Sequence, residues 1–202
     1  MNPTPTKAIF ASNNPAKTRE AAAILGGLGV ELHSMADFGI HPDIVEDGET
    51  FEANALIKAR AVFELMGALA IADDSGLEID WLDKKPGVRS ARFMGEHTPY
   101  VEKNRMILEF LSGVPMKRRT ARFVCAAAAI GVRGKAVVVR GEIEGFIALE
   151  AAGDNGFGYD PIFLVPRYGM TMGELPEGIK NSVSHRGKAL RKLKAALEAG
   201  RV

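Results

Sequence analysis

Two adjacent carboxylates, Asp73 and Asp74, directly follow the apolar run Leu69-Ala70-Ile71-Ala72. The run predicts a buried strand, and because an unpaired buried carboxylate is expensive, a pair at a strand end should have cations as partners. In open α/β sheets, ligands bind outside the strand ends, so this position favours a metal or catalytic site. The alternative is a turn, since Asp-Asp-Ser-Gly is also common turn chemistry.

A second candidate segment is Ser12-Asn13-Asn14-Pro15-Ala16-Lys17, at the start of the first predicted helix. Asn14 is a good N-cap and Pro15 suits the first helical turn. Backbone N–H groups, the helix dipole and the Lys17 ammonium can together bind phosphate oxygens. The Gly-x-x-x-x-Gly-Lys-Ser/Thr phosphate loop occurs nowhere in the chain. A surface lysine near a helix start is the alternative.

Asn54 and Lys58 lie four residues apart, and therefore on one side of the helix predicted over residues 51–66. Glu46 and Glu49 precede this helix, where carboxylates complement the helix dipole. One of them can instead complete a Mg²⁺ site with Asp73 and Asp74, because Mg²⁺ takes a few carboxylates together with waters and phosphate oxygens.

Two further segments suggest contacts with an aromatic base. Gly156-Phe157-Gly158-Tyr159-Asp160 places two rings that can stack among glycines that let the backbone bend tightly. Lys180 and Ser184-His185-Arg186 lie at the start of the last predicted helix, where cations oppose the dipole unless an anion or an electron-rich ligand compensates. A core turn for the first segment and a solvated basic face for the second are the alternatives.

Alternating strands and helices must position these residues, which indicates an α/β fold. Strands are predicted at about residues 7–12, 30–35, 69–72, 77–81, 120–132, 136–149 and 162–165, with a hairpin through Arg133-Gly134-Lys135. Helices are predicted from Asn14 to Gly26-Gly27 and over residues 51–66, 99–111 and 184–200. Residues 152–161 are glycine-rich and predict a loop.

Composition narrows the function classes. The 202 residues, 47% of them hydrophobic, suit one domain or two lobes that share a core. The net charge of +1 argues against a dedicated nucleic-acid binder but allows a small phosphate ligand. No window of about 18 uncharged apolar residues is present, so no membrane span is expected. The N-terminus lacks a signal-peptide core.

The single cysteine, Cys125, lies in an apolar run and is expected to be buried. A single cysteine fits a reducing, cytoplasmic compartment.

Six segments together resemble the inosine triphosphate pyrophosphatase family of house-cleaning enzymes, also called dITP/XTP pyrophosphatases. They follow the order of the family and spread over nearly the whole chain: SNNPAK (12–17), TFEANALIKA (50–59), ADDSGL (72–77), PGVRSAR (86–92), GFGYDPIF (156–163) and SHRGKAL (184–190). The resemblance implies an elongated mixed, twisted central sheet flanked by helices, two lobes around a central cleft, and a homodimer.

The resemblance also implies Mg²⁺-dependent hydrolysis of noncanonical purine triphosphates (ITP, dITP and XTP). Cleavage at the α–β phosphoanhydride would give the monophosphate and pyrophosphate. The resemblance thus implies that the protein binds small nucleotides and binds neither nucleic acid nor a membrane. Three other activities remain open: a pyrophosphatase for other modified triphosphates, a nucleotide-binding regulatory module without turnover, and a phosphatase that releases orthophosphate.

The family roles transfer to matching positions. Asp74 matches the catalytic base, and Glu46 with Asp74, and Asp73, would hold Mg²⁺, with Asp47 and Glu49 as alternatives to Glu46. The resemblance and the residue types together give the substrate-binding set: Ser12, Asn13, Asn14, Pro15, Ala16, Lys17, Lys58 and Ser75 for the phosphate side, and Phe157, Gly158, Tyr159, Asp160, Lys180, His185 and Arg186 for the purine side.

Overall fold

The computed structural model of the chain describes residues 6–26 and 30–202. Within these residues the helices are α1 (Pro15–Leu25), α2 (Phe51–Met66), α3 (Tyr100–Phe110), α4 (Glu177–Val183) and α5 (His185–Glu198). The strands are β1 (Thr6–Phe10), β2 (Val30–Ser34), β3 (Leu69–Ile79), β4 (Thr120–Ile130), β5 (Ala136–Ile147), β6 (Phe163–Val165) and β7 (Met170–Thr171). No helix of these residues is long and apolar enough to cross a membrane.

The seven strands form one mixed sheet in the order β2-β1-β3-β4-β5-β6-β7. Strand β1 is parallel to both β2 and β3, so that Phe10 lies opposite Ser34 on one side and Ile71 on the other. Strand β6 is antiparallel to β5 and to β7. The predicted α/β class with a mixed sheet is confirmed, and the parallel part carries the crossover helices that parallel pairing requires.

The described residues divide into two compact units. The first unit contains the described residues up to Asp74, together with Cys125–Gly141 and His185–Val202, and the second contains Ser75–Val124 and Glu142–Ser184. The core of the first unit includes Phe10, Leu25, Ile71, Ala127, Leu190 and Leu193. The core of the second includes Leu77, Ile107, Leu111, Ile147, Ile162 and Phe163. The single domain and the central cleft stay predictions.

Strand β3 corrects the expected position of the two adjacent carboxylates. Residues 73–76 were expected to end a strand or to form a turn, but β3 continues without interruption from Leu69 to Ile79. Asp73 and Asp74 therefore lie inside a strand, and successive side chains of a strand point to opposite faces of the sheet. Each carboxylate consequently has its own set of partners.

Locally encoded elements follow the prediction closely. Helix α2 begins after Thr50, whose side chain accepts from Ala53 N, and ends at Gly67, which has the left-handed φ of 61°. Helix α1 ends at Leu25 with Gly26 as its cap, and Gly27 lies outside the described residues. The predicted hairpin joins β4 to β5 through residues 131–135.

The short helix α4 was not predicted, because seven residues give too little periodicity to recognise. Cys125 is buried, as predicted. Burial raises the pKa of its thiol, so this cysteine is packed as a small apolar side chain.

Candidate active site

Asp74 faces helix α2. Asn54 Nδ2 donates to Asp74 Oδ2 at 3.3 Å, and Lys58 Nζ lies 3.3 Å from Asp74 Oδ1. Asn54 and Lys58 are buried on the same side of α2 as the apolar residues Ala55 and Val62. Packing of the apolar stripe therefore brings the predicted pair, spaced by four residues, to the carboxylate.

The acidic loop before α2 is held beside Asp74 by the same two helix residues. Gly48 N donates to Asn54 Oδ1 at 2.8 Å, and Lys58 Nζ lies 2.9 Å from Glu46 Oε2. Glu46 and Asp74 thus share one ammonium group. The other candidates in this loop, Asp47 and Glu49, are exposed. Glu46 is the acidic residue of the loop that the structure places with Asp74.

The charges of this cluster shift its titration. Burial raises the pKa of Asp74; Lys58 and Lys17 oppose this, while Glu46 and Asp73 add to it, and the net direction is upward. Burial alone would lower the pKa of Lys58, but the carboxylates of Asp74, Asp73 and Glu46 outweigh it and raise that pKa. The cluster is therefore a charged lysine between two carboxylates, one of which is more basic than usual.

Asp73 has different partners, which belong to α1 and α5. Its Oδ2 lies 3.0 Å from Arg186 Nε and 3.3 Å from Lys17 Nζ, and Arg186 also pairs with Glu20. Burial would raise the pKa of Asp73, but Lys17 and Arg186 outweigh it and hold that pKa well below its usual range. This face of β3 is a buried ion network of two cations and two carboxylates.

This network narrows the expected metal role of Asp73. Its Oδ2 is occupied by two cations, and its Oδ1 is buried with no hydrogen-bond partner among the described residues. The geometry supports Asp73 as an internal counter-ion of Lys17 and Arg186. Of its two carboxylate oxygens, only Oδ1 is left for a ligand.

Arg186 was expected in the purine pocket, and the structure places it in the ion network of Asp73. Its side chain is 3% exposed and is bound by Asp73 and Glu20, and its predicted contact with a purine stays a prediction. The anion that a cation at a helix start requires is thus supplied by the protein itself. His185 is buried in the first turn of α5, and its predicted contact with a purine stays a prediction.

The N-terminal loop is organised by its own cap. Asn14 Oδ1 accepts from Ala16 N at 2.9 Å and from Lys17 N at 3.5 Å, and Asn14 N donates to Ser12 Oγ at 3.2 Å. The predicted cap is confirmed, and the amides of Asn14, Ala16 and Lys17, which were expected to bind phosphate, have partners within the loop. An anion could reach two side chains of this loop. One is the Lys17 side chain, which is 16% exposed, and the other is Asn13, which is exposed.

The second unit contains another group of predicted residues, formed by the glycine-rich loop 152–161 and by Lys180 on α4. Asp160 Oδ2 accepts from Phe157 N at 2.8 Å and lies 2.9 Å from Lys180 Nζ. Lys180 Nζ in turn lies 5.1 Å from the centroid of the Phe157 ring. Gly156 has a φ of +81°, and a Cβ there would overlap Asp160 Oδ2. Phe157, Asp160 and Lys180, predicted to act together, are therefore neighbours.

Tyr159 was expected to contact a base, and the structure shows it buried. The residue is 4% exposed, its hydroxyl donates to Ser90 O at 2.8 Å, and its ring packs edge-on against Tyr100 with centroids 5.2 Å apart. Its predicted contact with a base stays a prediction. Ser75 is half-buried, and its predicted substrate contact stays a prediction.

Among the buried polar residues that were not predicted, two lie on helices beside the candidate site residues. Glu20 lies three residues after Lys17 on α1, and Asn104 lies three residues before Ile107 on α3. Both are buried on the sides of their helices that also bury apolar residues. The available signal was a polar residue at an apolar position of an amphipathic helix, which native sequences retain mainly where it has a partner or a function.

The carboxylates of the described residues can be compared with what the expected Mg²⁺ requires. Within residues 6–26 and 30–202, no group of three or more His, Cys, Asp or Glu side chains could hold a metal ion. Glu46 and Asp74, which converge on one ammonium, offer two carboxylates instead. Such a pair fits Mg²⁺, which completes its coordination with waters and phosphate oxygens.

Comparison with known proteins agrees with the resemblance. The model of the Ham1 family matches residues 8–196. The chain is 47% identical over 191 residues to the dITP/XTP pyrophosphatase of Exiguobacterium sibiricum, which covers 95% of this chain and 96% of that protein. For the dITP/XTP pyrophosphatase of Geobacter sulfurreducens the identity is 48%, with 94% and 95% covered. A HAM1 protein from Coxiella burnetii has a similar structure, with a TM-score of 0.87, 39% identity, and 96% and 99% of the two chains covered. The chain belongs to the Ham1 family.

Proposed function

We propose that this chain hydrolyses noncanonical purine nucleoside triphosphates, namely ITP, dITP and XTP, to the monophosphate and pyrophosphate. The names of its relatives, dITP/XTP pyrophosphatases, support the reaction and the substrates. The single observation that carries the proposal is the Glu46–Lys58–Asp74 cluster, in which two carboxylates converge on one buried ammonium. Such a cluster suits a polyphosphate that arrives with a metal ion.

The phosphates are neutralised by lysines. A nucleoside triphosphate carries about four negative charges, and its hydrolysis depends mainly on positioning and electrostatic stabilisation. Lys17 and Lys58 both reach the β3 carboxylates, from α1 and α2 respectively. With their ammonium groups anchored by Asp73 and Asp74, they need little reorganisation when charge develops on the phosphates.

Asp74 is the residue that handles the proton. The oxygen of a water attacks the α-phosphorus while the bond from that phosphorus to the oxygen bridging to the β-phosphorus breaks, and pyrophosphate leaves. The water proton passes to an Asp74 carboxylate oxygen. A carboxylate whose pKa is raised by burial is a stronger base than an ordinary aspartate and suits this role.

Glu46 and Asp74 are the residues that would hold Mg²⁺. A bound Mg²⁺ supplies Lewis-acid polarisation of phosphate oxygens and offsets part of their charge. The Asn54 side chain, which binds Gly48 N and Asp74 Oδ2, keeps the Glu46 loop beside the strand. Magnesium binding without nucleotide, measured by calorimetry, should weaken in Glu46→Gln and be retained in Glu49→Gln.

Base selectivity is proposed to come from a donor directed at the purine 6-keto group. His185 or Lys180 can donate there, whereas adenine presents an amino group, so that donor would face donor. A mismatch of this kind in a buried site discriminates strongly. The Phe157 ring would supply stacking affinity without distinguishing one purine from another.

Product analysis tests the proposal. The purified protein is incubated with ITP, dITP, XTP, GTP and ATP, with Mg²⁺ and with EDTA. We expect pyrophosphate and monophosphate from ITP, dITP and XTP, and no product with EDTA. Orthophosphate as the product, or equal use of ATP, would rule out the proposed reaction or its selectivity. Turnover of modified pyrimidine triphosphates alone would point to the other pyrophosphatase activity.

The homodimer and the cytoplasmic location implied by the family resemblance are also part of this proposal. Light scattering of the purified protein and fractionation of cells that express it would test the two statements.

A further inference from the structure

Asn104 is a buried amide on the side of α3 that packs into the core of the second unit. It is 5% exposed and lies one helical turn before the fully buried Ile107. Its Nδ2 donates to the carbonyl oxygen of Gly158 at 3.1 Å. A helix residue is thereby bonded directly to the loop that carries Phe157.

The side chain is only half satisfied. The amino group must face the Gly158 carbonyl, because the reverse orientation would set two oxygens against each other. The other atom, Oδ1, is then buried with no hydrogen-bond partner among the described residues. An unpaired buried acceptor destabilises a fold, and an apolar residue of similar size would avoid it. The presence of an amide here, despite the cost of its unpaired oxygen, indicates that the bond to Gly158 serves the site.

The bond fixes the backbone next to Phe157. Gly158 has a left-handed φ of +69°, and the ring of Tyr100 lies 3.6 to 3.9 Å from where its Cβ would be. On the other side of Phe157, its own amide is held by Asp160. The two bonds hold the peptide group that precedes Phe157 and the one that follows Gly158, and because both groups are planar, the two-residue segment between them, which carries the Phe157 ring, has restricted backbone freedom.

We propose that Asn104 is a positioning residue for the substrate base. It holds the Gly158 carbonyl and so keeps the Phe157 ring oriented for stacking, without itself touching the substrate. The inference rests on the proposed function, because it takes the Phe157 ring as the stacking platform for the purine.

The test is a mutant cycle of Asn104→Ala, Phe157→Ala and the double variant, with ITP as substrate. In Asn104→Ala we expect KM to rise about tenfold while kcat stays within about threefold, the pattern of lost ground-state binding. Because Asn104 acts through Phe157, its replacement should change KM by less than about twofold in the Phe157→Ala background. A merely structural role would lower the thermal midpoint and leave KM unchanged.

Thr171→Val is the matched control. Thr171 is equally buried, and its hydroxyl donates to Ala152 O at 2.7 Å, a carbonyl of the same loop that lies five residues before Phe157 in the chain, whereas Gly158 directly follows Phe157. This variant should lose stability with no change in KM. If Asn104→Ala does not fold, Asn104→Asp keeps the side-chain volume and, when ionised, places a second acceptor against Gly158 O, so KM should rise at neutral pH.

A normal KM in the folded Asn104 variant, or additive effects in the double variant, would overturn the inference while the proposed function stood. If the wild type does not turn over ITP, and Phe157→Ala does not alter the binding of a non-hydrolysable ITP analogue, the proposed function and this inference both fall.

Discussion

The two faces of β3 treat two neighbouring aspartates in opposite ways. On one face, Asp73 is fully buried between Lys17 and Arg186, and these cations hold its pKa low. On the other, Asp74 shares Lys58 with Glu46, and burial raises its pKa. A low pKa marks a charge that the fold has already neutralised, whereas a raised pKa marks a charge still in need of a cation. On this comparison we expect Asp73 to contribute mainly to the stability of the fold and Asp74 to contribute to the reaction proposed above.

The largest expected effect concerns Asp74. Asp74→Asn should lower kcat for ITP by about a thousandfold with little change in KM, because an amide cannot accept the proton of the attacking water. Its free energy of unfolding should be unchanged or higher at neutral pH, since a group whose pKa is raised on folding destabilises the folded state when ionised. Steady-state kinetics and urea unfolding measure the two quantities. Near-normal turnover would remove Asp74 from the mechanism.

The second prediction gives Asp73 the opposite signature. Asp73→Asn should lower the free energy of unfolding by about 3 kcal/mol at neutral pH, because Lys17 and Arg186 lose a buried counter-ion. The folded pKa is below the unfolded one, so this stabilisation is present above about pH 4 and is lost as the pH falls further. Urea unfolding of both proteins at neutral and acidic pH tests this. A difference in stability that does not shrink in acid would contradict the assignment.

The sequence predicts best what is decided locally. Helix α2 was predicted from end to end because Thr50, Gly67 and the apolar stripe all lie within it. The direction of Asp73 was not predictable, because Asp-Asp-Ser-Gly is compatible with both strand and turn, and only tertiary packing chose the strand. Its partner Arg186 pairs with Glu20, 166 residues away in the chain.

The acidic loop illustrates the same limit. Residue types could not rank Glu46 above Asp47 or Glu49, since all three are carboxylates close to the start of one helix. The position of this loop depends on the bond from Gly48 N to Asn54 Oδ1 and on the reach of Lys58 to Glu46. Both are contacts of side chains, which the pattern of a single sequence does not contain.

The third prediction sharpens the comparison by changing the cation of Asp74. Lys58→Met removes the ammonium that lowers the pKa of Asp74, so that pKa should rise further. Because the base must be ionised, activity is lost as the pH falls through this pKa, and the acidic limb of kcat/KM should move to higher pH. Loss of phosphate binding should also reduce kcat/KM by about a hundredfold. Arg60→Met, a change at an exposed position of the same helix, serves as the control. An acidic limb that stays in place would separate Lys58 from Asp74.

The smallest effect is expected at His185, which directly precedes Arg186 in the first turn of α5. If His185 reads the 6-keto group, His185→Ala should raise KM for ITP by about tenfold and narrow the preference for ITP over ATP, with kcat nearly unchanged. Competition assays with ITP and ATP in one reaction measure the preference directly.

The neighbouring variant Arg186→Met should instead lose stability, as Asp73→Asn does, because the Arg186 guanidinium is enclosed by Asp73 and Glu20. An unchanged preference in His185→Ala would leave Lys180 as the donor. A change in preference in a stable Arg186→Met would show that the ion network on the Asp73 face also takes part in reading the base.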